Sequence, residues 1–235
     1  MTTHIVTPAA ATVNFEGRVP DISEKPPIDP HPLSAYVSWA GHRNRGPILD
    51  VFKGIFPRSG RALELASGSG LHINTFAPHF PDVTFRPSDY DTDVFPAINE
   101  KRTREGNANI LEPVRIDLTD PASWPDPANG LFDVIFVINI FQVAPLSIAD
   151  GIAGLGARLL APGGFIAIYG PFKVEGGYTT QSNAEFDKTL LSTSVPDWHL
   201  KDVKDIAAAA ERNGLVLKER LDLPANNFIL KITHP

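Results

Sequence analysis

Apolar and polar residues follow two patterns along the chain, one typical of helices and one typical of strands, and the two patterns alternate. Apolar residues at helical spacing predict helices near 71–79, 92–105, 147–160, 184–192 and 202–213. Short apolar runs predict strands near 61–66, 82–87, 113–116, 132–139, 164–169, 215–222 and 227–233. Such alternation is typical of an α/β fold, in which helices cover both faces of a mainly parallel, here seven-stranded, sheet.

Both ends of the pattern depart from this alternation. Too few residues separate 215–222 from 227–233 for a crossover helix, so the last strand is expected to run antiparallel. Residues 38–56 have helical spacing interrupted by Pro47, which predicts two short helices or one kinked helix. Residues 1–32 lack periodicity and predict an irregular arm, either disordered or lying over the active site.

The remaining residues, 33–235, are long enough to form one domain with a substantial core. Within it, residues 159–164 contain Pro and two Gly and predict a helix stop that connects to a buried strand.

The most specific local signal is a glycine turn after the first strand. The strand Arg61-Ala-Leu-Glu-Leu65 precedes Gly68 and Gly70, which allow a tight turn and close approach to a ligand. A dinucleotide fingerprint would place a third glycine where Ile73 stands. Glu-x-x-x-Gly-x-Gly instead resembles motif I of class I S-adenosylmethionine (SAM) methyltransferases. That resemblance implies a Rossmann-like fold, SAM as cofactor, and a cofactor site that includes Glu64, Gly68 and Gly70.

The ends of the following strands supply further candidate cofactor ligands. Asp89 stands nineteen positions after Gly70, close to the offset of about 20 at which an acid binds ribose hydroxyls. The alternative is that Asp89 caps the next helix, although Asp91 is also available for the cap. Methyltransferases commonly place an acid and a backbone amide against adenine after the third strand, where Asp117 and Leu118 lie. We also assign Asn139, after the fourth strand, to the cofactor site.

Several strings resemble, in order, the signatures of one family. They are residues 43–49, 87–89, 169–172, 182–183 with 186–187, and 224–227. From about residue 34 onward the chain is therefore similar to the methyltransferase-like 26 family, long a domain family of unknown function. The resemblance implies a class I SAM-binding fold and a methyltransferase, without indicating a substrate.

One segment departs from that family's usual pattern, Asn-Met-Ile-His-Ile-x-Pro-Trp. This chain has Asn139-Ile-Phe-Gln-Val-Ala-Pro-Leu146, so Gln142 replaces a histidine and Leu146 a tryptophan. Glutamine forms hydrogen bonds but does not remove a proton near neutral pH. Either the acceptor needs no base at this position, or the chemistry has changed.

An acceptor pocket is expected over the cofactor, because methyl transfer depends mainly on alignment of the acceptor, the methyl carbon and the sulfur. The candidate catalytic residues are Gln142, Tyr169 and Asn183. The candidate substrate-binding residues are Tyr36, Trp39, Phe141, Phe172, Tyr178, Trp198, Asn226 and Asn227. Such a pocket suits a mostly apolar small molecule, whereas the alternative for the aromatic residues is core packing.

Two further candidates have equally good alternatives. Arg43 either holds the methionine carboxylate or forms a salt bridge with Glu64. Asn183 lies four residues before Asp187 on one face of a predicted helix, and either binds substrate or caps that helix.

Composition narrows the classes of function. A net charge of −6 disfavours a nucleic-acid partner, and the lack of cysteine excludes disulfides, thiolate zinc sites and a cysteine nucleophile. No i, i+4 histidine pair or other metal-ligand cluster appears, and Ser69 is not within a Gly-x-Ser-x-Gly motif. No apolar stretch approaches the roughly 18 residues of a membrane span, so we expect a cytoplasmic protein without a membrane partner.

These observations favour a SAM-dependent methyltransferase that acts on a small organic acceptor, in secondary metabolism. A non-methylating cyclase or pericyclase on the same fold is the alternative, because a fold does not determine function. A SAM-binding regulatory protein without turnover is a third class. The sequence indicates no oligomeric state.

Overall fold

The computed structural model describes residues 24–235, which form helices around a single sheet. The helices are α1 (Ala35–Ile55), α2 (Leu71–Phe76), α3 (Phe95–Glu105), α4 (Ile148–Leu159), α5 (Gln181–Ser192) and α6 (Val203–Arg212). The strands are β1 (Gly60–Leu65), β2 (Val83–Asp89), β3 (Val114–Arg115), β4 (Phe132–Ile138), β5 (Leu160–Gly170), β6 (Val216–Leu223) and β7 (Asn227–Thr233).

The seven-stranded sheet has the order β3-β2-β1-β4-β5-β7-β6. Strands β1 to β5 are parallel to one another, and β7 is antiparallel to both β5 and β6. This arrangement confirms the predicted α/β fold with a reversed C-terminal strand. Among residues 24–235, no helix combines the length and apolar character needed to cross a bilayer.

Each face of the sheet has its own apolar core, because successive side chains of a strand point to opposite faces. On one face, Leu63 belongs to a cluster with residues of α4 and α6. On the other, Ala62 belongs to a cluster with residues of α1 and α2. Helices therefore cover both faces of the sheet. Because strands β1 to β5 are parallel, their carboxyl ends meet at one edge of the sheet.

Helix α1 is one helix that contains Pro47, whereas the sequence predicted two short helices or a kinked one beginning near residue 38. It begins at Ala35 because the Ser34 hydroxyl accepts a hydrogen bond from the Val37 N–H, as an N-cap does. Beyond Pro47, Ile48 and Phe52 are buried in the core. Their packing outweighs the backbone hydrogen bond that proline removes.

Two strands differ from their predicted lengths. The predicted connection 159–164 lies largely inside β5, which begins at Leu160. Phe132 pairs with Leu160 but Val134 pairs with Phe165, so a bulge absorbs the proline and glycines. Strand β3 shortens to Val114–Arg115 at the edge of the sheet, where it pairs only with β2.

A buried carboxylate fixes α5 to the loops beside it. Asp187 is 0% exposed and accepts hydrogen bonds from Lys173 Nζ at 2.8 Å, the Tyr178 hydroxyl at 2.7 Å and the Leu200 N–H. Burial alone would raise the pKa of Asp187, but these three contacts outweigh burial and hold the pKa below its ordinary value. The ion pair therefore stabilises the wall that α5 contributes to the site.

We predict that Asp187→Asn lowers the free energy of unfolding at pH 7 by about 2–4 kcal/mol, because Lys173 then loses its counter-charge in a half-buried position. Urea unfolding measures the change. Because the folded-state pKa is depressed, this stabilisation exists above the ordinary carboxyl pKa and is lost as pH falls through the folded value. The difference between wild type and variant should therefore close below about pH 4.

The matched control is Asp150→Asn, which breaks an exposed pair with Arg212. Exposed pairs contribute little, so this variant should unfold close to wild type. Equal losses in the two variants would contradict the structural role of Asp187.

Candidate cofactor and acceptor site

A cavity of about 500 Å³ opens at the carboxyl ends of the parallel strands. Its walls come from α1, the β1–α2 turn, the ends of β2, β4 and β5, helix α5, and residues of the N-terminal arm and the 224–227 turn. Open α/β sheets bind ligands at this edge, and the volume is in the range of small-molecule sites. The cavity is the candidate functional site.

The glycine turn is tied to the end of β2 by Asp89. Gly68 and Gly70 have φ of 52° and 70°, in the left-handed region that favours glycine. Asp89, only 8% exposed, accepts from the Gly68 N–H at 2.9 Å and from the Asp91 N–H at 3.0 Å. The cap of the next 3₁₀ helix is Asp91, whose side chain accepts from the Asp93 N–H. Asp89 therefore does not act as that cap, and the alternative proposed for it is wrong.

Asp89 keeps the capacity to bind a ligand. Each carboxylate oxygen has two lone pairs, and the backbone N–H groups occupy one on each oxygen. Burial raises the pKa of Asp89, and the N–H donors of Gly68 and Asp91 oppose that rise. The side chain lines the cavity, where its free lone pairs suit the hydroxyls of a ribose.

Glu64 lies at the end of β1 as an almost completely buried acid. It is 2% exposed, and its Oε2 has no hydrogen-bond partner. Burial raises the pKa of Glu64 to about 8; the Ser67 hydroxyl opposes the rise and the nearby Asp89 charge adds to it. The side chain is therefore largely protonated at neutral pH.

Arg43 does not pair with Glu64, so the salt bridge proposed between them is wrong. The Arg43 guanidinium instead stacks on Trp39, with its carbon 4.6 Å from the ring centroid. Both residues line the cavity. The alternative role for Arg43, holding a carboxylate, stays a prediction.

A chain of polar side chains crosses the cavity wall from α2 to β5. His72 Nε2 lies 2.7 Å from Asn44 Oδ1, and the Asn44 side chain in turn neighbours Tyr169. Burial lowers the pKa of His72 to about 3, so the imidazole is neutral. Burial raises the pKa of Tyr169 to about 12, against opposing effects of the Arg43 charge and Asn44. We name this set the His72–Asn44–Tyr169 chain.

The sequence indicates Tyr169 as a site residue but neither His72 nor Asn44. His72 follows Gly70 by two positions, in the first turn of α2, and Asn44 stands on α1, far from Tyr169 in sequence. The position of His72 just after a glycine turn is the one available signal. Nothing in the spacing indicates that these three residues meet.

The segment after β4 carries Asn139 and Gln142 into the cavity. Asn139 has a φ of 58°, and its N–H donates to the Tyr169 carbonyl at 2.9 Å, which fixes the segment against β5. Gln142 Oε1 is buried without a hydrogen-bond partner. Its amide is the polar group that stands where the resembled family has an imidazole.

Asn183 joins α5 to the turn at 224–226. Its Nδ2 donates to Thr179 Oγ1 at 3.0 Å and to the Asn226 carbonyl at 3.3 Å, while the side chain also lines the cavity. The N-cap of α5 is Thr180, so capping by Asn183 is wrong. Asn227 lines the cavity, but Asn226 is half-buried and lies outside its lining.

Core packing is the better account of two predicted pocket aromatics. Phe141 and Phe172 are 2% and 0% exposed, with ring centroids 6.0 Å apart in the core on the α4–α6 face. The prediction that these two residues contact substrate is wrong, because their rings fill the core beneath the cavity. Tyr36 and Trp39, in contrast, stack on each other and line the cavity.

Six other candidates lie outside the cavity lining: Glu64, Gly70, Asp117, Leu118, Tyr178 and Trp198. Tyr178 contacts Asp187, and Trp198 is half-buried in the loop after α5. Asp117 and Leu118 follow β3, where the Ile116 N–H donates to the Asp89 carbonyl and holds this segment beside β2. An adenine contact there stays a prediction.

The described part of the N-terminal arm, residues 24–32, approaches the glycine turn. Pro32 lies 3.5 Å from the position that a Cβ on Gly68 would occupy. Lys25 Nζ lies 5.8, 6.0 and 5.5 Å from the ring centroids of Tyr36, Trp39 and Phe186. These contacts place the segment along the cavity, as one of the two sequence predictions has it; residues 1–23 lie outside the described residues.

The sheet order, the reversed last strand and the site at the strand ends define a class I methyltransferase fold. The chain belongs to the family described as "Protein of unknown function (DUF938)", whose model matches residues 35–234.

Solved structures with this fold include several methyltransferases. CalO1, a methyltransferase in calicheamicin biosynthesis in its SAH-bound form, has a TM-score of 0.68 and 15% identity over 85% of this chain and 56% of its own. The mitomycin 7-O-methyltransferase MmcR has a TM-score of 0.70 and 17% identity over 85% and 56%. An O-methyltransferase family protein from Burkholderia thailandensis has 0.69 and 18% over 85% and 59%. This chain thus matches less than two thirds of each, and the likeness establishes the fold.

We predict that Asp89→Ala weakens binding of S-adenosylhomocysteine (SAH) by about 1–3 kcal/mol, because the ribose hydroxyls and the Gly68 N–H both lose an acceptor. Isothermal titration calorimetry measures the loss. The control is Asp91→Ala in the same turn, whose side chain caps a 3₁₀ helix and should leave SAH affinity near wild type. Unchanged affinity in Asp89→Ala would remove this residue from the cofactor site.

We predict that Glu64→Gln stabilises the free protein by roughly 2 kcal/mol at pH 7 while weakening SAM binding. A raised folded-state pKa means that the contribution of Glu64 to stability is complete below the ordinary carboxyl pKa and is lost as pH rises toward about 8. The stability gap between variant and wild type should therefore widen across that range. Thermal unfolding at several pH values measures it, and a constant gap would contradict the buried neutral acid.

Proposed function

We propose that the protein is a SAM-dependent methyltransferase that acts on a small organic acceptor, in secondary metabolism. The observation that carries the proposal is the hydrogen bond from the Gly68 N–H to Asp89. It holds the glycine turn at the edge of a cavity large enough for a small molecule. The methyltransferases of similar fold support it. Kinship with the methyltransferase-like 26 family, and a cytoplasmic location without a nucleic-acid or membrane partner, belong to the same proposal.

The described residues fit SAM. Gly68 and Gly70 give the turn its left-handed backbone, Gly68 lines the cavity, and Asp89 offers lone pairs to ribose hydroxyls. Arg43 is positioned on the cavity wall to take a carboxylate. Glu64 supplies a buried acid near the turn, and a cation bound nearby would favour its ionised form.

SAM, when bound, supplies an electrophilic methyl group on a sulfonium. The protein contributes alignment and exclusion of water, which are the main requirements of such a transfer. The arm, Trp39 and Tyr36 cover the acceptor side, and Tyr169 and Gln142 orient its polar atoms. Asn183 holds α5 against the 224–227 turn and so keeps the far wall in place.

The cavity provides little capacity to accept a proton. His72 is neutral with a pKa of about 3, and Gln142 does not titrate. Asp89 is committed to backbone N–H groups and, in this proposal, to ribose. The acceptor therefore gives its proton to solvent before or during transfer, which favours acidic hydroxyls over aliphatic alcohols.

The same observation favours a second candidate function. A rearrangement of a bound substrate, such as the closure of a ring, needs orientation but no base, and proximity alone accelerates it. The weak basicity of His72 and the neutral amide of Gln142 suit that chemistry. A SAM-binding protein without turnover is the remaining alternative.

We predict a SAM-dependent gain of one methyl group when purified protein is incubated with a panel of phenolic and enolic compounds. Mass spectrometry of the products, with SAH release as a second readout, tests it. An isomer of unchanged mass, formed with or without SAM, would support the rearrangement and contradict methyl transfer. SAH binding with no product across the panel would favour the non-catalytic alternative.

A further inference from the structure

Three aromatic side chains converge at one place on the cavity wall. Tyr36 and Trp39 stand three residues apart on one face of α1, and their rings stack with centroids 5.9 Å apart. Phe186 adds a third ring from α5, and all three residues line the cavity. All three are only partly buried, which leaves ring surface open to the cavity. We name this set the Tyr36–Trp39–Phe186 cage.

The cage already holds a cation that belongs to the chain itself. Lys25 Nζ lies 5.8 Å from the ring centroid of Tyr36, 6.0 Å from that of Trp39 and 5.5 Å from that of Phe186. An ammonium group within about 6 Å of a ring centroid is attracted to the ring face. Because all three rings meet this condition at once, the cage is a site for a positive charge.

Lys25 is a weakly held occupant of the cage. Residues 25–31 belong to no helix or strand, and Lys25 as a whole is exposed. Holding its long side chain against the rings costs rotamer entropy, and its primary ammonium is strongly hydrated in water. A quaternary ammonium is less strongly hydrated, and aromatic cages are a recurring means of binding it. Such a ligand can therefore displace Lys25 from the rings.

Arg43 is a second positive charge beside the cage. Its guanidinium carbon lies 4.6 Å from the Trp39 ring centroid, and the residue lines the cavity. Its charge opposes the binding of another cation, and a carboxylate bound to Arg43 would offset that repulsion. In the proposed function this carboxylate belongs to the cofactor, so a cation in the cage should bind more tightly when SAH is present.

We propose that the Tyr36–Trp39–Phe186 cage binds a quaternary ammonium group of the substrate, and that Lys25 fills the cage until the substrate displaces it. A quaternary nitrogen has no lone pair to accept a methyl group, so it serves for recognition, and another atom of the same molecule is methylated. The substrate class is therefore an aromatic hydroxyl compound that carries a quaternary ammonium group. This inference deepens the proposed function and rests on it in placing the methyl acceptor in this cavity.

Two probes of similar shape test whether the cage recognises charge: 4-(trimethylammonio)phenol and its neutral carbon isostere, 4-tert-butylphenol. Calorimetry measures the affinity of the full chain for each probe, with and without SAH. Lys25→Ala empties the cage and should bind the cation about tenfold more tightly than the isostere. Wild type should show a smaller preference, because Lys25 competes for the same place. Equal affinities of the two probes in Lys25→Ala would overturn the proposal.

Other lysine variants separate displacement from a general change of charge. Lys25→Arg keeps a cation against the rings and should bind the probes as wild type does. Lys53→Ala removes a positive charge from the last turn of α1 and should also match wild type. Lys25→Ala should bind the cation about fivefold more tightly than these controls. If Lys25→Ala binds the cation no more tightly than Lys53→Ala, Lys25 does not occupy the ligand's place and the proposal fails.

Two changes at Phe186, made in the Lys25→Ala background, test the rings. Phe186→Leu keeps an apolar side chain and should lose about fivefold in affinity for the cation, with little change for the isostere. Phe186→Tyr keeps a ring and should retain the preference. Equal losses for both probes in Phe186→Leu would indicate apolar contact alone and contradict the proposal.

A parallel titration with SAH separates this inference from the proposed function. If wild type fails to bind SAH, the proposed function fails. The preference for the cation, measured without SAH, tests the cage by itself.

Discussion

The hydrogen bond from the Gly68 N–H to the Asp89 carboxylate joins the ends of β1 and β2 and shapes the edge of the sheet where the site lies. It depends on two constraints that act together. Gly68 and Gly70 adopt left-handed backbone conformations, and Asp89 is held almost fully buried by two backbone donors. Because the parallel strands end at one edge, this bond also fixes the start of α2, with Leu71 and His72, at the cavity.

Much of the fold follows from the sequence, because strand and helix periods are local. Every predicted strand is present, and the antiparallel β7 follows from the short connection at 224–226. Errors arise where tertiary packing overrides local preference: α1 continues through Pro47, and the 159–164 connection is drawn into β5 as a bulge. Neither feature can be predicted without knowing which residues pack against these two segments.

Site residues could be predicted from the sequence only where their spacing along the chain is itself a recognisable pattern. The glycine turn and Asp89 meet this condition. The His72–Asn44–Tyr169 chain draws on α2, α1 and β5, so only the folded sheet brings it together. Likewise, aromatic content does not say which ring faces a cavity: Trp39 lines it, whereas Phe141 is in the core. The site also conflicts with stability, since Glu64 and Gln142 bury unpaired oxygens that the two cores must offset.

The central claim is that the turn at Gly68 and the carboxylate of Asp89 form a SAM site beside an acceptor cavity. A crystal structure of the protein with SAH tests it most directly. The account predicts the ribose hydroxyls within hydrogen-bond distance of Asp89, the methionine portion beside Gly68 and Gly70, and the sulfur facing the space between Tyr169 and Trp39. SAH bound elsewhere, or with its ribose away from Asp89, would contradict it.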